Sequence, residues 1–90
     1  MGADGHTASL FPGNEILDEK KRLVKEVFVK DKGIYRISFT LPLINRAKQI
    51  LILVAGKEKA AALKKLAANR KTGNPLPVQL LKGNILWMIN

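Results

Sequence analysis

The segment QILILVAG, residues 49–56, constrains the fold of this chain more than any other. A near-continuous β-branched and leucine run closed by glycine is the pattern of a strand buried on both faces of a parallel sheet. KEKAAALKKLAANRK, residues 57–71, follows at once. Its alanines and the Leu63/Leu66 spacing predict a helix of about four turns with one apolar stripe, and TGNP stops it with turn chemistry. Strand, glycine and helix in that order form the repeating unit of an α/β layer architecture.

The flanking segments extend the alternation. RLVKEVFV, residues 22–29, predicts a strand, and IYRISFTLP, residues 34–42, alternates with Tyr35, Ile37, Phe39 and Leu41 on one side and Arg36, Ser38 and Thr40 on the other. That pattern predicts a half-buried strand whose apolar side is covered and whose polar face lines either a polar cleft or the solvent side of an edge strand. Pro42 opens a short helical segment through Lys48, at a first-turn position where proline is tolerated. NPLPVQLL predicts a turn into a short helix starting near Pro77, Lys82-Gly83 end it, and ILWMI is a final strand. The whole is one α/β domain over residues 1–90, whose sheet lacks neighbours for so apolar a central strand.

Charge narrows the partners without choosing one. Sixteen Lys plus Arg against seven Asp plus Glu give a net charge of +9, which favours an anion. The basic residues are spread over several segments and are not interleaved with aromatic readers, so a specific nucleic-acid-binding module is the weaker alternative. AGKEK is not a phosphate-binding Walker loop, because Leu51 stands where the first glycine belongs and no Ser or Thr follows the lysine. The chain has no cysteine and one histidine, which excludes disulfides and thiolate metal sites, and no cofactor or metal is expected. No signal-peptide pattern opens the chain, and ILILVA is too short to span a bilayer, so a cytoplasmic protein without a membrane partner is expected.

The one histidine sits in MGADGHTASLFPG, residues 1–13. Gly2 and Gly5 flank Asp4, so the backbone there can approach a ligand closely. His6 follows, and TASLF is expected to start a short helix whose free N–H groups point back to the turn. An imidazole exchanges protons near neutral pH and is suited to take one from water. Asp4 is close enough in sequence to fix its tautomer. On local chemistry alone, Asp-Gly is also a common turn dipeptide, and a lone His beside Thr and Ser serves as a cap or surface residue. Ser9 lacks the G-x-S-x-G elbow of a nucleophile.

Read at full length, MGADGHTASLFPG resembles the signature of the 6-phosphogluconolactonase family, where a Gly-x-Asp-Gly-His-Thr-Ala-Ser-Leu-Phe-Pro segment carries the catalytic histidine. RISFTLPLINRAKQILILVAGKEKAAAL resembles that family's following strand, helix, strand and Gly-x-x-Lys-Ala segment, and NPLPVQLL with ILWMIN its closing stretch. The resemblance implies the C-terminal part of a Rossmann-like parallel-sheet domain, of the sugar-phosphate isomerase and CoA-transferase type. It implies lactone hydrolysis of a sugar phosphate in the oxidative pentose phosphate pathway. His6 would be the general base acting on water, with Asp4, Gly2 and Gly5 shaping its pocket. Lys59 would bind the substrate's phosphate, and Arg36 matches an arginine usual in the family's strand.

Helical geometry bears on the lysine separately. At about 100° per residue Lys59 shares a stripe with Leu63 and Leu66, whereas Lys57 and Lys64 point away. One lysine of the cluster faces inward, either toward an anion or with its stem along apolar surface and its ammonium in water. The related glucosamine-6-phosphate deaminases share the Asp-Gly-His turn but carry a Glu five residues after the His, where this chain has Phe11. Family members are more than twice as long, so the sequence is expected to be a partial domain. As such it is expected to have little activity alone, needing the missing N-terminal half or associating with itself.

Overall fold

A computed structural model describes residues 1–68 and 75–90. Two small sheets make up its strands. The first is an antiparallel hairpin of β1 (Val24–Val29) and β2 (Ile34–Phe39), in register from Val24 opposite Phe39 to Val29 opposite Ile34. The loop between them closes at Gly33, whose φ of 61° lies in the left-handed region and whose N–H donates to the Val29 carbonyl at 2.9 Å. The second sheet is a parallel pair, β3 (Ile50–Val54) and β4 (Ile85–Ile89), with Ile50 opposite Ile85 and Val54 opposite Ile89. Between β3 and β4 the chain passes through a 3₁₀ turn, Lys57–Lys59, the helix α2 (Ala60–Ala67) and a second 3₁₀ turn, Pro77–Leu80. This is the mixed α/β class the alternation predicts, with its parallel strands joined by a helical crossover.

Gly56 closes β3 with φ 106°, a conformation side chains rarely adopt, and turns the chain into the Lys57–Lys59 turn. Helix α2 is shorter than the predicted 57–71, because its first turn is 3₁₀. The remainder of that prediction, and the TGNP stop up to Asn74, lie outside the described residues. The helix predicted from Pro42 is the single turn α1 (Leu41–Ile44), with the proline in its first turn. The helix expected at TASLF does not form. Thr7 and Leu10 instead bridge across a tight turn in which Ala8 has φ 50°, and a 3₁₀ turn, Glu15–Asp18, follows under an Asn14 cap.

One core joins the two sheets. Leu10, Ile16, Val27, Leu41, Ile50, Ile52, Val54 and Leu81 pack together, with Trp87, Leu63 and Phe11 at its margin. Burying side chains of this size contributes about 1.5–3 kcal/mol each. Two expectations are corrected here. β3 is covered on one face only: Ile50, Ile52 and Val54 are buried while Leu51 and Leu53 are exposed, beside Leu86 and Met88 of β4. An apolar run needs a layer on each side, and the described residues supply one. β2 is turned over relative to its predicted orientation. Ser38 and Thr40 face the core, and Tyr35, Ile37 and Phe39 face out, Ile37 being 79% exposed. The hydroxyls tolerate burial because each is hydrogen-bonded: Ser38 Oγ accepts from the Ser9 N–H at 3.0 Å, and Thr40 Oγ1 donates to the Arg22 carbonyl at 2.5 Å.

Candidate active site

The turn that bears His6 is closed on itself and then docked. Gly2 N–H donates to the His6 carbonyl at 2.8 Å and Gly5 N–H to the Gly2 carbonyl at 3.0 Å. Gly5 has φ 83°, and a β-carbon there would lie 2.8 Å from Leu76 Cβ, so only glycine lets the turn seat on this segment. Val78 N–H completes the seat by donating to the Gly5 carbonyl at 3.1 Å. The 3₁₀ turn that begins at Pro77 thus holds the active turn in place, a role its sequence did not announce.

Asp4 reaches His6 as the spacing allowed. Its Oδ1 accepts from the His6 backbone N–H at 3.0 Å and lies 2.5 Å from Nδ1 of the ring. Burial pushes the Asp4 carboxyl up, but the backbone hydrogen bond from His6, the bond to its ring and the ring's charge outweigh that and hold it below the ordinary value of 3.8. An ionised Asp4 fixes the proton of a neutral imidazole on Nδ1 and leaves Nε2 as the acceptor.

A cleft of about 910 Å³ opens beside this pair and runs to the β1–β2 hairpin. Asp4, His6 and Phe11 of the turn segment line it together with Lys25 and Arg36 of the hairpin. Arg36 sits opposite Val27 in the hairpin register and therefore shares its inward face. Lys25 is held by Glu19, Nζ to Oε1 at 3.3 Å. The Glu19 carboxylate is lowered to about 2 by the backbone N–H groups of Arg22 and Lys21 and by Lys25.

Of the residues predicted for the site, Asp4, His6 and Arg36 come together around this cleft, and Gly2 and Gly5 shape the turn. Lys59 does not line the cleft. It is half-buried on the same side of its helical segment as Ala62 and Leu63, and its Nζ donates to the carbonyl of Met1, the residue before Gly2, at 2.6 Å. The inward orientation read from the stripe is what the structure has. Sequence reasoning missed Phe11, whose ring centroid lies 4.7 Å from that of His6 at an interplanar angle of 41°. Four residues of irregular turn separate the two, so no periodicity could have signalled the contact.

Comparison with known proteins gives the family and the fold. A family described as glucosamine-6-phosphate isomerases/6-phosphogluconolactonase matches residues 1–87. The 6-phosphogluconolactonase of Homo sapiens is 34% identical over all of this chain and 36% of its own length. That of the cyanobacterium Synechocystis is 40% identical over all of this chain and 38% of its own. The crystal structure of 6-phosphogluconolactonase from Thermotoga maritima superposes with a TM-score of 0.79 at 29% identity, over 99% of this chain and 39% of that one. The chain therefore spans little more than a third of the length of the relatives it matches, and within that span it shares their fold. It belongs to the glucosamine-6-phosphate isomerase/6-phosphogluconolactonase family.

Proposed function

We propose that this chain carries the water-activating part of a 6-phosphogluconolactonase, which hydrolyses 6-phospho-D-glucono-1,5-lactone to 6-phosphogluconate in the oxidative pentose phosphate pathway. The observation that carries the reading is the Asp4–His6 pair in the lining of a cleft that Lys25 and Arg36 also line. His6 Nε2 takes a proton from water as its oxygen bonds to the lactone carbonyl carbon, giving a tetrahedral oxyanion. Collapse of that oxyanion breaks the bond from the carbonyl carbon to the ring oxygen, which takes the proton back from the imidazolium. Asp4 stabilises the imidazolium between the two steps. Hydrolysis is favoured over sugar isomerisation because the residue against the imidazole is Phe11, an apolar ring with no proton to give.

The cations supply binding. Arg36 takes the substrate's phosphate or a ring hydroxyl from the hairpin side. Lys59 spends one of its three donors on the Met1 carbonyl and offers the others to the phosphate behind the turn. Leu51, Leu53, Leu86 and Met88 form one exposed apolar face on the parallel pair. Leu53's carbonyl, on the edge of β3 away from β4, already accepts from the Met1 amine at 3.0 Å. The N-terminal two thirds of a family domain would cover this face and edge, and without it the preorganisation of the site falls. We place the activity in the cytoplasm.

A chimera tests the reading. This chain replaces the matching segment of the Synechocystis enzyme, 38% of its length. Lactonase turnover in the chimera, abolished by His6→Ala, is the expected result. A folded chimera that leaves the lactone untouched, or one indifferent to His6→Ala, overturns it.

A further inference from the structure

The His6 imidazole is confined on more than its Asp4 edge. The Phe11 ring packs against it at 4.7 Å, and on the Gly2 side a single β-carbon would overlap its Cε1 and Nδ1 atoms. Gly2 has no left-handed φ to justify glycine, so the imidazole itself is what excludes a side chain there. Phe11 also rests on the core cluster, so it cannot turn away without disturbing the packing around Leu10 and Ile16.

We propose that Phe11 and Gly2 form a slot that positions the His6 imidazole, holding its plane so that Nδ1 stays on Asp4 and Nε2 stays turned to the cleft. The slot matters because a hydrogen bond to Asp4 fixes one atom, not the ring's plane. Rotation about the terminal side-chain torsion of histidine is broad and two-fold, and a half turn exchanges the two edges of the ring. A tilted aromatic ring packed against the imidazole and a side-chain-free backbone beside its Cε1–Nδ1 edge remove that freedom. Phe11 and Gly2 are thus positioning residues that act through His6. The consequence for turnover rests on the reading of His6 as the base, but the positioning itself does not.

The single histidine makes the test direct, since every imidazole signal of the chain belongs to His6. Two-bond proton–nitrogen spectra of the ninety-residue chain, labelled with ¹⁵N-histidine and recorded at alkaline pH, report the tautomer of the neutral ring. The expected wild-type spectrum shows two well-separated ring nitrogens, Nδ1 protonated and Nε2 bare, with ring-to-ring nuclear Overhauser contacts between His6 and Phe11. Phe11→Leu and Gly2→Ala should each draw the nitrogen shifts together toward a tautomer average, and Phe11→Tyr should restore the wild-type separation. Absence of the ring contacts in the wild type overturns the slot, as does retention of the wild-type separation in Gly2→Ala or in a folded Phe11→Leu. Should Phe11→Leu lose its amide dispersion, Phe11→Tyr and Gly2→Ala decide the matter. Lactone hydrolysis is not read in this experiment. An intact slot in a chimera without turnover refutes the proposed function alone, and a lost slot in an active chimera refutes the slot alone.

Discussion

Lys59 Nζ donates to the Met1 carbonyl oxygen at 2.6 Å, a bond spanning 58 positions that ties the start of the helical crossover to the turn carrying His6. The lysine is half-buried and its partner is a backbone carbonyl, so the bond is charge-assisted and only partly screened. Lys59→Met keeps the stem on the apolar stripe and removes the donor. Urea unfolding of the chain should show a loss of about 1.5 kcal/mol, the lower end of the range for hydrogen bonds to charged groups because of the exposure. In the chimera the same substitution should raise KM for the phosphorylated lactone more than it lowers kcat. An unchanged KM would remove Lys59 from substrate binding and leave it a structural tie.

Asp4 offers a pH-dependent test. Its carboxyl is held below the ordinary 3.8, so the stability it contributes is present above that value and is lost as pH falls through the lowered one. Asp4→Asn should abolish this acid-side loss. It should also cut lactonase kcat in the chimera by about a hundredfold or more, because an amide can hold the imidazole yet cannot stabilise its charge. Thermal melts from pH 6 to pH 2 and a kcat measurement at neutral pH check the two effects separately.

Ser38 is buried beneath Ser9, whose backbone N–H it accepts at 3.0 Å. Ser38→Ala strands that N–H in the interior. The expected cost is about 1–3 kcal/mol, read as a lower urea midpoint with an unchanged slope. The reverse reading of β2, with Ser38 toward water, would make the substitution neutral.

Glu19 gathers the segment before β1. Its carboxylate accepts from the backbone N–H groups of Lys20, Lys21 and Arg22 and pairs with Lys25 on the cleft wall. With its folded value at about 2 against an ordinary 4.5, its contribution is complete above about pH 4.5 and disappears as pH falls toward 2. Glu19→Gln should flatten the acid limb of the stability profile between those two values. Amide exchange of residues 20–25 should quicken in the variant already at neutral pH.

The elements that carry their own punctuation were legible before any coordinates. Gly56 after an unbroken apolar run gave β3 and its exit into a helix, and Pro77 and Lys82-Gly83 bracketed the last helical turn and the strand Ile85–Ile89. The inward side of Lys59 followed from helical spacing, which depends on backbone geometry alone. The nearness of Asp4 to His6, with one glycine between them, was local too, but the contact itself, Oδ1 to Nδ1 at 2.5 Å, came from the structure.

Faces were decided elsewhere. Alternation along β2 divides its residues into two sets, but which set is buried depends on what lies across the sheet. Here the segment carrying Ser9 and Leu10 supplies a backbone donor for Ser38, so the polar set went inward. For β3, its sequence announced two buried faces, and the described residues cover only the one bearing Ile50, Ile52 and Val54. The candidate site divides in the same way. The Asp-Gly-His turn and its chemistry are local and belong to the sequence, because a few residues of fixed bond geometry determine them. The seating of that turn on Leu76 and Val78, the cleft it shares with Arg36, and Phe11 against the imidazole belong to the tertiary structure. They join residues whose distance along the chain sets no distance in space until the core has formed.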